Sequence, residues 1–225
     1  MTAVLPGPAG VPAPAGMPVT LPPRIPLAVL PTPLLPAPRL ASALGIGELF
    51  IKRDDLTGFA FAGNKARPLE FLTAGAVGEG ADTLLTGGAP GSNFCAASAA
   101  AAQREGLACH LVIAGDPVPP GPALSLAIAS GARVTWTRDA DRASVDHALA
   151  RVAGELTAAG RRPYMIPRGG ATPLGATGYV LAAAELAGQL AGRGIAAARV
   201  VVAVGSGGTL AGLIAGNAVL GRPAG

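Results

Sequence analysis

Two lysines occur in the chain, and one of them stands where a charge is costly. Lys65 lies in GFAFAGNKARPLEFL, residues 58–72, behind Gly-Asn and ahead of the apolar residues Leu69, Leu72 and Ala76 at i+4, i+7 and i+11. If the segment is a helix, Lys65 heads its buried stripe. Lysine is among the residues least often fully buried. An amine kept from water loses basicity and becomes a nucleophile and a carrier of protons. The plain alternative is a lysine at a helix start that snorkels to water.

Three glycine loops supply what such an amine would need around it. The sharpest is VVVAVGSGGTLAGLIAG (200–216), in which an apolar β-branched run ends in Gly205, Ser206, Gly207, Gly208 and Thr209 before a helical pattern. Successive small residues let several N–H groups face one point, and the start of the next helix adds positive potential, so a phosphate fits there. A Walker loop is excluded because no lysine follows the glycines, and the dinucleotide fingerprint is opposed by Leu210 at its third glycine position. A mononucleotide or a small phosphorylated cofactor remains, beside a turn that only packs a helix closely on a sheet. The second loop, TGGAPGSNF (86–94), puts Ser92 and Asn93 at a helix start. Both are good caps, and both can hold a carboxylate or a phenolate oxygen. The third, PRGGATPLGATGY (167–179), implies close backbone approach to something. An amine and a phosphate cradle in one chain call for an aldehyde cofactor that carries a phosphate, namely pyridoxal 5′-phosphate held as a Schiff base.

Other clusters carry less. Asp54 and Asp55 are adjacent on an expected strand and would point to opposite faces, so they are read as structural, paired with nearby arginines. Lys52 is read as structural too. Neither His110 nor His147 has a partner at ligand or triad spacing, and no metal site is expected. Cys95 and Cys109 lack metal or redox spacing and are expected to be reduced in a cytoplasmic protein. A net charge of +4 with dispersed arginines and 4% aromatic residues gives no nucleic-acid footprint. The uncharged runs 83–103 and 200–221 are long enough to cross a bilayer, but clustered glycines and polar residues make strand-turn-helix the better reading.

The elements that must position these loops follow from periodicity. Half of the 225 residues are hydrophobic, so a sizeable core is possible. After a Pro/Ala-rich leader over 1–23, expected to be disordered, comes a proline-punctuated extended segment with a short helix near Arg39 to Leu44. Strands are expected in ELFIKRDD and at 82–86, 108–113, 133–137, 163–166 and 199–204, with helices between them. That alternation predicts an α/β fold with mostly parallel sheets, whose ligands sit beyond the C-terminal strand ends, where all three glycine loops fall.

The motifs LPTPLLPAPRLASALG, LFIKRDDLTG, GNKARPLEFL, TGGAPGSN, PRGGATPLGATGYV and VVVAVGSGGTLAG, in this order, resemble the D-cysteine desulfhydrase/1-aminocyclopropane-1-carboxylate deaminase group of fold type II pyridoxal-phosphate enzymes. The resemblance runs from about Arg24 to Gly221. It implies two open, mostly parallel sheets flanked by helices: a large domain from 24–78 and 163–225, incomplete at the C-terminus, and a small domain over 79–162. It implies that Lys65 holds the cofactor and later moves protons, that Ser92 contacts the substrate carboxylate or assists proton movement, and that Asn93 lies beside the ring oxygen. Gly205 to Thr209 would cup the phosphate, and Asn64 would shape the lysine loop. The substrate implied is a small amino acid, D-cysteine or aminocyclopropane carboxylate, converted with release of ammonia and a 2-oxo acid. A cysteine synthase-like or threonine dehydratase-like enzyme, a dehydrogenase and an inactive remnant stand as alternatives. The group often carries Gln and His where this chain has Gly91 and Phe94. It also continues past residue 225, with the partner of the pyridine nitrogen in the further part. The chain is therefore expected to be a fragment or truncated product, and the full-length protein a homodimer.

Overall fold

In the computed structural model, residues 20–196 and 199–221 are described. The leader falls almost wholly outside them. Four parallel strands form the central sheet in the order β5-β4-β3-β6: β3 (Thr83–Gly88), β4 (Ala108–Ile113), β5 (Arg133–Trp136) and β6 (Pro163–Met165). Strand alternation divides neighbouring side chains between two faces. Leu84, Leu111 and Ile113 face a core shared with Phe94, Ala97 and Ala101 of α3 (Asn93–Arg104). Leu85 and Val112 meet Val145, Leu149 and Val152 of α5 (Arg142–Ala158) on the other. Each such fully buried leucine contributes roughly 1.5–3 kcal/mol. The alanines of α3, several with no exposure, let it lie close to the sheet. Helix α4 (Pro122–Ala129) packs against α3.

A second layer holds α2 (Ala66–Gly78), α6 (Pro173–Ala191) and α7 (Gly208–Val219), with α6 between the other two. Their close crossing depends on missing side chains. A Cβ on Gly178 of α6 would stand 2.5 Å from the Arg67 carbonyl carbon in α2, and one on Gly212 of α7 would strike Ala176 and Tyr179. Helix α2 is buried along nearly its whole length and even encloses Arg67 and Glu70, each 1% exposed. Beside it, the short β1 (Leu34–Pro36) and β2 (Phe50–Lys52) pair antiparallel, and α1 (Pro38–Ala43) connects them.

Three expectations need correction. The strand at 163–165, assigned from sequence to the large domain, pairs with β3 and belongs to the four-stranded sheet. The run 199–204 is not a strand: Val201 is 94% exposed and Val204 60%, because no neighbouring strand among the described residues offers it a ladder. A second parallel sheet is accordingly absent among the described residues, and only the β1–β2 pair stands outside the first. Asp54 and Asp55 lie on a 3-10 turn, Asp54–Leu56, instead of a strand. Their pairing with arginines holds: Asp55 with Arg53, Asp54 with Arg67.

Candidate active site

Lys65 ends a 3-10 turn, Gly63–Lys65, that runs directly into α2. Its side chain enters a cavity lined by Pro68, Gly169, Gly170, Gly175, Tyr179, Gly208 and Thr209. Burial alone lowers its pKa from the ordinary lysine value, and no carboxylate among the described residues offsets that loss. The amine is half-buried and has no hydrogen-bond or ion-pair partner among the described residues, unlike a snorkelling lysine.

The turn at 205–209 closes one side. Gly207 takes a left-handed conformation, φ 87°, as N-cap of α7 and supplies no side-chain cap. The N–H groups of Gly208, Thr209 and Leu210 find no backbone acceptor among the described residues, and the first helical bond runs from Ala211 to the Gly207 carbonyl at 2.9 Å. A Cβ on Gly169 would lie 2.8 Å from Ser206 Oγ and 3.9 Å from Lys65 Nζ, so the hydroxyl and the amine flank one glycine. Asn64 Nδ2 donates to Thr209 Oγ1 at 3.3 Å and ties the lysine segment to α7.

Beneath this cleft lies an ionic cluster. Arg67 grips Asp54 with two bonds, Nε to Oδ2 and Nη2 to Oδ1, both 2.8 Å, and reaches Glu185 at 3.0 and 3.1 Å. Lys52 binds Glu185, the Thr32 carbonyl (2.6 Å) and Gln189 Oε1 (2.7 Å). The Tyr179 hydroxyl donates to Asp54 Oδ2 at 2.7 Å, and the Arg67 guanidinium stands 5.9 Å from the centre of its ring. Burial by itself would raise the Asp54 carboxyl, but Arg67, Thr32 and Tyr179 outweigh it and hold the group below the usual range. Glu185 is depressed in the same way, burial being outweighed by Arg67 and Lys52. Burial, then the neighbouring Asp54, pushes the Tyr179 phenol up, so it stays a neutral donor.

The structure thus brings together Lys65, Gly208 and Thr209, with Ser206 on the far side of Gly169. Ser92 and Asn93 do not line this cavity. Ser92 caps α3, its Oγ accepting from the Cys95 N–H at 3.3 Å, and Asn93 is exposed. The next residue reaches the cleft wall: a Cβ on Gly170 would lie 2.8 Å from the Phe94 ring. Gly205 is exposed, and a Cβ added there would meet nothing within 4 Å among the described residues. Sequence reasoning missed Tyr179 as a cleft residue. The available signal was its place four residues after Gly175 on one helix face. His110 bonds Thr135 Oγ1 at 2.8 Å, and burial raises the thiols of Cys95 to about 11 and Cys109 to about 12, so all three are packing groups.

Residues 25–223 match the family described as pyridoxal-phosphate dependent enzyme. The D-cysteine desulfhydrase of Klebsiella pneumoniae (strain 342) is 44% identical over 201 residues, which are 86% of this chain and 60% of that enzyme. A crystal structure of an ACC deaminase homologue superposes with a TM-score of 0.81 at 37% identity, over 89% of this chain and 60% of the other. That of the T.th. threonine deaminase gives 0.64 at 28%, over 84% and 56%. The chain belongs to the pyridoxal-phosphate-dependent enzymes and has their fold type II α/β architecture. It spans about 60% of the length of the curated relatives it matches.

The chemistry of the cleft fits that cofactor: a half-buried, desolvated amine for its aldehyde, and the N–H groups of Gly208, Thr209 and Leu210 with the Thr209 hydroxyl for its phosphate. The space does not yet admit it. The cavity is only about 10 Å³, barely one water, too little for an aromatic ring with the 205–209 turn as it stands.

Proposed function

We propose that this chain carries the lysine and phosphate half of a lyase or deaminase acting on a small amino acid, D-cysteine or aminocyclopropane carboxylate, with release of ammonia and a 2-oxo acid. One observation carries the reading: the desolvated Lys65 amine, without a partner among the described residues, shares its cleft with the first residues of α7. The bound cofactor supplies an aldehyde for amines and a conjugated ring that draws electrons from the carbon beside the substrate nitrogen.

The residues of the chain do the rest. Lys65, with its lowered basicity, is largely neutral closer to neutral pH than an exposed lysine, so it can attack a carbonyl and afterwards take up or return a proton. Gly208, Thr209 and Ser206 hold the phosphate end, with Gly205 and Gly207 giving the backbone its turn. Gly169 and Gly170 keep the wall thin where a planar group must pass. Ser92 and Asn93 reach the substrate carboxylate and the ring oxygen once the cleft is parted, since Phe94 already touches its wall. The sheet unit from about 79 to 166 forms the small domain. The 24–78 and 167–221 segments form the phosphate-binding part of the large one. Among the described residues no helix is long and apolar enough to cross a membrane. A cytoplasmic homodimer is proposed for the full-length protein.

The test is to incubate the chain with pyridoxal 5′-phosphate and offer D-cysteine, aminocyclopropane carboxylate, L-serine and L-threonine, measuring 2-oxo acid and sulfide. Keto acid from either of the first two supports the reading. Turnover of L-serine or L-threonine alone moves the assignment to a dehydratase. Lys65→Ala must remove the visible absorbance of the bound cofactor; if absorbance persists on Lys52, Lys65 was the wrong amine.

A further inference from the structure

Among the described residues, a single side-chain hydrogen bond links the lysine segment to the 205–209 turn, from Asn64 Nδ2 to Thr209 Oγ1 at 3.3 Å. Its direction has a consequence. A hydroxyl has one proton and two lone pairs, and an amide nitrogen can only donate. With one lone pair of Thr209 Oγ1 taken by Asn64, the Thr209 proton is free to point elsewhere. Thr209 lines the cavity, and the N–H groups of Gly208, Thr209 and Leu210 at the start of α7 have no backbone acceptor among the described residues. Asn64 is itself fixed, since it sits on the 3-10 turn whose Gly63 carbonyl accepts from Thr57 Oγ1 at 2.8 Å.

We propose that Asn64 is a positioning residue for anion binding: it turns the Thr209 hydroxyl into an obligate donor to the phosphate held at the start of α7. This rests on the cofactor reading above. Through the adjacent peptide it also fixes the distance from the phosphate cradle to the Lys65 amine, so one rigid ligand must satisfy both.

The experiment is equilibrium dialysis of the full chain against pyridoxal 5′-phosphate and, separately, pyridoxal. The ratio of the two dissociation constants isolates the phosphate. Asn64→Ala should reduce that ratio about 3–10-fold, the worth of one neutral hydrogen bond. Asn64→Asp should reduce it further, because a carboxylate accepts the Thr209 proton and adds a negative charge beside the phosphate. Thr209→Val should match Asn64→Ala, and the double variant should lose nothing more, as expected of two groups acting through one contact. A merely structural role for Asn64 would weaken both ligands equally and leave the ratio unmoved. If the Asn64 variants fold poorly, as judged by thermal melting without ligand, Thr209→Ser against Thr209→Val tests the hydroxyl on which the inference depends: only Ser should keep the ratio, and an unchanged ratio in Thr209→Val overturns the inference. A wild-type chain with no preference for the phosphorylated ligand overturns the cofactor reading and this inference with it. A wild-type preference that survives in Asn64→Ala or Asn64→Asp overturns this inference alone.

Discussion

Lys52 and Lys65 are the two lysines of the chain, thirteen residues apart and both partly withdrawn from water, yet they stand in opposite electrostatic settings. Burial lowers the basicity of Lys52 and Glu185 opposes that loss, and its three protons meet Glu185, Gln189 and the Thr32 carbonyl. Lys65 has burial without compensation. The first arrangement keeps a charge where it is and joins β2 to α6. The second leaves an amine whose charge the protein does not support, which is how a lysine is prepared for covalent and proton-transfer work. Burial alone therefore does not mark a reactive lysine; what matters is whether the fold also brings a carboxylate to it.

That contrast can be broken most sharply at Lys65 itself. Lys65→Met should end covalent cofactor uptake and at the same time raise the melting temperature at pH 7. The sign follows from the lowered pKa. The folded state disfavours the charged amine, so the penalty is full below the folded value and gone above the ordinary value of 10.5. The gap between variant and wild type should accordingly narrow as pH approaches 10, and a gap independent of pH would show that the amine is not desolvated.

The next largest effect lies in the cluster that holds Lys52. Arg67→Met strands the Asp54 and Glu185 carboxylates and should cost about 3–5 kcal/mol, read from urea denaturation, because a buried pair broken on one side leaves an uncompensated charge. Lys52→Met is milder, roughly 1–3 kcal/mol, since Arg67 still neutralises Glu185. It should leave cofactor uptake intact; lost uptake with retained stability would erase the distinction between the two lysines.

Mild acid should act least. Asp54 and Glu185 have folded pKa values below the ordinary 3.8 and 4.5, so their contribution is complete above roughly pH 5 and is lost only as pH falls through those depressed values. The share of stability in urea due to Asp54 and Glu185 should be flat between pH 7 and 5 and fall below that, while burial holds the His110 imidazole below its ordinary 6.5, so a shallow decline from about pH 6.5 downward belongs to that group and should vanish in His110→Gln.

Much of this was open to reading residue by residue. The apolar spacing after Lys65 named its helix, the small residues 205–209 named a turn before α7, and β-branched runs named β3, β4 and β5 within a residue or two. Patterns that depend on a partner were not legible in that way. The run 200–204 has strand composition and no ladder, because a strand exists only beside another. Asp54 and Tyr179 lie 125 residues apart, Arg67 and Glu185 118, and the four show no common spacing, so their meeting under the cleft could not be foreseen. The doublet Asp54-Asp55 gave the right role for the wrong reason: a 3-10 turn, not strand alternation, sends the two carboxylates to different arginines.

What the amino-acid order determined by itself was the set of elements and the reactive groups placed at their ends, since periodicity and capping act over a few residues. What only the tertiary structure decided was which lysine lost its water and its counter-ion. That depends on α6 and α7 closing over α2 through glycines too small to hold them apart, and the free energy of an amine is set by everything packed around it.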